Sequence, residues 1–108
     1  MKEITSAQFD SEVLHCDVPV LVDFYTEHCH PCRQMSPLLD QVEQESAGAL
    51  KVVKIDAAAE GQFTASFHVV SVPTFVLFHR GQRLAQLTGA RSKKQLTKWL
   101  EETIQSPR

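Results

Sequence analysis

The stretch from Pro19 to Tyr25, PVLVDFY, is an apolar run rich in valine and aromatics, and shortly after it the chain reads Cys29-His30-Pro31-Cys32. Such a run predicts a strand buried on both faces of a sheet. A C-x-x-C where a buried strand feeds a helix is the redox arrangement, because the first helical turn brings both sulfurs within bonding reach. The half-zinc-site reading of the same cysteines needs a second pair of ligands at matched spacing, and the sequence has no second C-x-x-C and no H-x-x-x-H.

Length and charge narrow the setting. With 108 residues the chain predicts a single domain over 1–108, with the final QSPR loose, and its 43% hydrophobic content suits a compact core. A net charge of -2 gives no reason to expect nucleic acid or an anionic membrane as partner. The longest apolar runs are too short to span a bilayer, and the opening MKEITSAQFDSEVL lacks the apolar segment of a secretory signal. Three cysteines, two of them in one short motif, argue against a secreted disulfide framework and for a cytoplasmic thiol site.

Periodicity places the remaining elements. Thr5 and Gln8 have capping-box spacing, and Phe9, Val13 and Cys16 fall on one helical face, which predicts a first helix from about Thr5 or Ser6 with Cys16 buried and inert. A second helix is expected from Cys29 to Ser46 on the stripe Met35, Leu38, Leu39 and Val42, kinked at Pro37 and terminated by Gly48. LKVVKID, from Leu50 to Asp56, reads as a strand, followed by a short helix holding Phe63 and Phe67. Thr74–His79 and Gln82–Thr88 read as strands joined by a tight turn at Arg80-Gly81. A last helix from Ser92 to about Gln105 points Leu96, Leu100 and Ile104 inward, with Trp99 on its flank. This order predicts an α/β fold, a mixed sheet between helices.

The thiols divide their labour. Cys29 lies at the mouth of the helix, where unpaired N–H groups and the positive dipole end favour thiolate, so it is the expected exposed nucleophile. Cys32, one turn in, is expected to be buried and to resolve the mixed disulfide. Pro31 fits the first turn, since its missing N–H would have had no helical partner there. Asp23 interrupts the apolar strand; burial raises the pKa of a carboxyl, and an acid poised near neutral beside Cys32 could take that thiol's proton. The plainer reading of Asp23 is a strand end in contact with water.

VDFY before the cysteines, C-x-P-C, the helix proline Pro37, KVVKID, SVPTFVLF, RG and LTGA match the thioredoxin family in order and spacing, and the chain resembles that family over nearly its whole length. The resemblance implies a thioredoxin fold, with a central five-stranded sheet flanked by four helices, and protein-disulfide reductase activity through a Cys29–Cys32 disulfide. The sequence has no glycine-rich dinucleotide loop, so no bound cofactor is expected. The resemblance implies that electrons come from NADPH through a separate thioredoxin reductase, and the expected partners of a monomeric chain are that reductase and disulfide-containing proteins. It places Lys54 near Asp23 and makes Pro73 a cis proline facing the cysteines. The backbone of Val72 then pairs with an extended substrate, and Thr88, Gly89 and Ala90 form the second rim of the docking surface.

Two departures concern the site itself. His28 stands where the family has tryptophan and His30 where it has glycine, while Tyr25 occupies a place where a second tryptophan is common. A histidine at 28 makes the docking surface smaller and more polar. A protonated His30 stabilises the Cys29 thiolate, which stabilises the reduced form and makes the couple less reducing. His28, Cys29, His30 and Cys32 also offer four metal donors, though adjacent residues on one segment wrap a tetrahedral ion poorly and His15, His68 and His79 are scattered. The expected alternatives are therefore an oxidase or isomerase on the same fold, or a metal-binding or scaffold module.

Overall fold

In the computed structural model, which describes residues 1–105, the apolar run is the middle strand of a sheet. The strands are β1 (Lys2–Glu3), β2 (Val20–Tyr25), β3 (Lys51–Asp56), β4 (Thr74–His79) and β5 (Gln82–Thr88); the α-helices are α1 (His30–Glu45), α2 (Gly61–Ser66) and α3 (Lys93–Gln105). The sheet order is β1-β3-β2-β4-β5, parallel among β1, β3 and β2 and antiparallel across β2–β4 and β4–β5. With the helical segment before β2 counted as one unit, this is the expected five-stranded mixed sheet with four helices. The 106–108 part of QSPR lies outside the described residues.

Both faces of β2 are covered, as its lack of alternation requires. Val20, Val22 and Phe24 join Val53, Ile55, Val76 and Phe78 in a core roofed by Phe9, Val13, Phe63 and Phe67. Leu21 joins Val52, Phe75 and Leu77 in the opposite core, packed by Met35, Leu39 and Val42 of α1 and by Leu96 and Leu100 of α3. Each such buried aliphatic or aromatic side chain contributes about 1.5–3 kcal/mol. Asp23 belongs by alternation to the second face, the α1 side.

The turn between β4 and β5 has positive φ at both central residues, 54° at Arg80 and 78° at Gly81. That is the twist-matched conformation of a two-residue hairpin, and the reading of Arg80-Gly81 as a tight turn holds. α1 continues on both sides of Pro37 and leaves through Ala47 and Gly48, at φ 51° and 90°.

Four details differ from the expectations. The outer strand β1 has two residues, too few to show a period. The first helix is broken: a 3₁₀ turn at Ser6–Gln8 is followed by a π turn at Asp10–Leu14, closed by His15 N–H on the Asp10 carbonyl at 3.0 Å. Phe9 and Val13 still face the core, but the wider turn carries the chain out of phase and leaves the free Cys16 only partly buried. Ile104, in the last turn of α3, is 37% exposed rather than inward, because the core it would join ends at Leu100.

Candidate active site

β2 delivers the chain to Cys29, which caps α1. Its backbone is extended (φ -91°, ψ 110°), its carbonyl accepts from Arg33 N–H at 3.1 Å, and its Sγ accepts from Cys32 N–H at 3.2 Å. A helix N-terminus leaves such donors unpaired, and here one of them is spent on sulfur. His30 and Pro31 form the first turn, both exposed. Cys29 and Cys32 are joined as a disulfide with Cα atoms 5.2 Å apart. Cys32 is 4% exposed, while Cys29 is half-buried and His28 beside it is exposed. The division into an outer and an inner sulfur therefore stands, with the outer one more sheltered than its expected exposure.

Behind Cys32 an open cavity of about 180 Å³ is lined by Asp23, Tyr25, Cys32, Arg33, Ser36 and Lys54, among others. Asp23 is 2% exposed, and its Oδ1 has no protein hydrogen-bond partner. Burial pushes its carboxyl from 3.8 up to about 7, against the opposing charge of Lys54. Lys54 is its register partner on β3, and the Lys54 ammonium lies 5.2 Å from the Tyr25 ring centroid. Asp23 is thus no solvated strand end: it shares a cavity with the inner cysteine and titrates near neutrality.

The residues expected to receive substrate gather at the same end of the sheet. Phe24 pairs with Thr74, so the Val72–Pro73 peptide, which is cis, sits beside the end of β2 that leads to Cys29. Gly89 N–H donates to the Pro73 carbonyl at 2.8 Å, and Thr74 Oγ1 lies 3.3 Å from Thr88 Oγ1. Arg91 N–H contacts Met35 Sδ at 3.4 Å, which ties the segment Thr88, Gly89 and Ala90 to α1. Gly89 has φ 95°, a conformation side chains with a Cβ rarely adopt. Pro73 is buried, Val72 half-buried, and Thr88 and Ala90 exposed.

Val70, absent from the sequence reading, is 95% exposed and lines a groove with Thr26, Ala57, Ala65 and Val72. An apolar residue without periodic partners just before Val72 was the available signal. Tyr25 and Glu3 were likewise missed as a pair: the Tyr25 hydroxyl donates to Glu3 Oε2. That contact joins a two-residue strand the sequence did not reveal. Among the described residues no three His, Cys, Asp or Glu side chains gather as metal ligands, and no helix is long and apolar enough to cross a membrane.

Comparison with known proteins agrees with this geometry. The family model described as Thioredoxin matches residues 1–102. The chain is 38% identical to "Thioredoxin 1" of Nostoc sp. over 94% of this chain and 95% of that one. It is 34% identical to a thioredoxin of Rickettsia felis over 94% and 96%. It is also 36% identical to the "Bifunctional thioredoxin reductase/thioredoxin" of Mycobacterium leprae, over 94% of this chain and 22% of that protein. With a half-buried cysteine capping a helix and its mate closed onto it as a disulfide, the chain belongs to the thioredoxin family and is a thiol–disulfide oxidoreductase.

Proposed function

We propose that the protein is a net reductase of protein disulfides, working as a cytoplasmic monomer and re-reduced by a separate thioredoxin reductase that draws on NADPH. The observation that carries this reading is the asymmetry of the two sulfurs: Cys29 caps the helix and accepts a backbone N–H, whereas Cys32 is buried against the Asp23 cavity.

In the reducing direction the Cys29 thiolate, supported by the helix N-terminus and by His30 when protonated, attacks one sulfur of a substrate disulfide. The substrate S–S bond breaks and one substrate thiolate leaves. Asp23 then takes the proton of Cys32, whose sulfur attacks Cys29 and expels the second substrate thiolate. Lys54 moderates how readily Asp23 holds a proton. Pro31 lets the helix begin without an orphan donor at its position. The backbone at Val72, the neighbouring Pro73 and the rim Thr88, Gly89 and Ala90 receive an extended peptide through main-chain hydrogen bonds, with His28 at the edge. No bound cofactor enters these steps. A relative that is both thioredoxin reductase and thioredoxin supports the choice of redox partner.

The test is turnover. With NADPH, a thioredoxin reductase and insulin, the chain is expected to drive continuous NADPH oxidation and insulin reduction, in the presence of a metal chelator. Absence of turnover, together with net oxidation of a reduced, unfolded substrate, would favour the oxidase or isomerase reading of the same pair.

A further inference from the structure

Tyr25 follows Asp23 by two positions on β2, so both side chains rise from the α1 face of the sheet. Lys54 is the register partner of Asp23 on one side and of Glu3 on the other. Opposite charges facing each other on adjacent strands attract, so two carboxyl groups compete for one ammonium. β4 adds only the apolar Phe75 opposite Asp23. The other titratable groups here are Asp56 of β3, Glu27 beyond β2, and Cys32 and Arg33 of α1.

Tyr25 lies across β3 and donates its hydroxyl to Glu3, and among the described residues Glu3 makes no ion pair with Lys54. The Lys54 ammonium instead lies 5.2 Å from the Tyr25 ring centroid, a cation–π distance, and its charge acts on Asp23. Burial and the bond to Glu3 raise the Tyr25 pKa above its ordinary 10.0, so the phenol stays a donor across the working range.

We propose that Tyr25 and Glu3 are positioning residues for disulfide exchange: the phenol ties Glu3 away from Lys54 and its ring keeps the ammonium available to Asp23, so the pair sets the pH at which Asp23 receives the Cys32 proton. The proposal rests on Asp23 acting as the base for Cys32. In that step the carboxylate takes the thiol proton, a Cys32–Cys29 S–S bond forms, the Cys29–substrate S–S bond breaks, and its electron pair leaves on the substrate thiolate.

Tyr25→Phe keeps the ring and frees Glu3, which then draws Lys54 toward β1; Asp23 should titrate higher by about half a pH unit. Adding Glu3→Gln leaves no carboxylate to draw the ammonium, and the titration should return to the native value. Carboxyl carbon NMR of the oxidised protein reads the titration directly. Reduced protein mixed with Ellman's reagent releases one thionitrobenzoate by Cys29 attack and a second by Cys32 attack, and the pH profile of the second release should move with the Asp23 titration. An Asp23 titration unmoved by Tyr25→Phe, or not restored by Glu3→Gln, overturns the clamp even when Asp23→Asn slows the second release. Should Asp23→Asn release it as fast as the native chain at every pH, the base assignment fails and the catalytic role of the pair falls with it.

Discussion

Asp23 and Lys54 stand opposite each other in register across β2 and β3, yet Asp23 Oδ1 accepts no hydrogen bond from the protein and Lys54 lies against the Tyr25 ring. A buried carboxyl left without a firm partner is costly when charged. Asp23 and Cys32 line one cavity, which places a carboxyl that titrates at about 7 on the same space as the inner cysteine.

The cost is measurable as a pH dependence. The Asp23 pKa rises from 3.8 to about 7 on folding. Between those values the folded chain holds a proton that the unfolded chain has released. The stability this proton contributes is therefore fully present below about pH 4 and lost as pH rises through about 7. Asp23→Asn removes the dependence, so at pH 8 the variant should exceed the native chain by up to about 4 kcal/mol, a gap that closes toward pH 4. Urea unfolding of the oxidised proteins at the two pH values checks this; equal midpoints at pH 8 contradict it.

The two sulfurs should fail differently when removed. Cys32→Ser leaves the attacking thiolate in place but no resolving one, so a mixed disulfide between Cys29 and substrate should accumulate and be seen by mass spectrometry. Cys29→Ser should form none. Accumulation in Cys29→Ser instead would reverse the assigned roles.

His30 sits exposed in the first turn of α1, between the sulfurs in sequence. If its positive charge stabilises the Cys29 thiolate, His30→Gly should make the couple more reducing by up to about 30 mV, the equivalent of one pKa unit on the thiol. Native chain should correspondingly lie above the roughly -270 mV of thioredoxin. Equilibration of both forms with glutathione measures the difference, and equal potentials rule the effect out.

Much of this architecture could be read from particular residues. PVLVDFY marked a strand buried on both faces because such burial erases alternation, and Arg80-Gly81 marked a hairpin because the turn demands positive φ. That the strand is the middle one of the sheet comes from the pairing. Asp23 stood out because an acid in such a run needs a reason. Contacts between distant segments were less accessible. Lys2–Glu3 is too short for a period and becomes a strand only because β3 offers it an edge, so the Glu3–Tyr25 contact was invisible. The π turn at Asp10–Leu14 carried no local signal in the sequence, and the chain leaves it with Phe9 and Val13 in the core but Cys16 only partly buried. Pro73 and Gly89 were recognisable as family positions, but their backbone bond across the β4–β5 end is a product of strand pairing.

The most direct test is the rate of alkylation of the reduced protein by iodoacetamide at pH 7, resolved by residue with mass spectrometry. Cys29 should be labelled many-fold faster than Cys16, the ordinary free thiol of the same chain, with Cys32 slowest. Labelling of Cys29 no faster than Cys16 would contradict the account, because the thiolate at the mouth of α1 would then not be the reactive group.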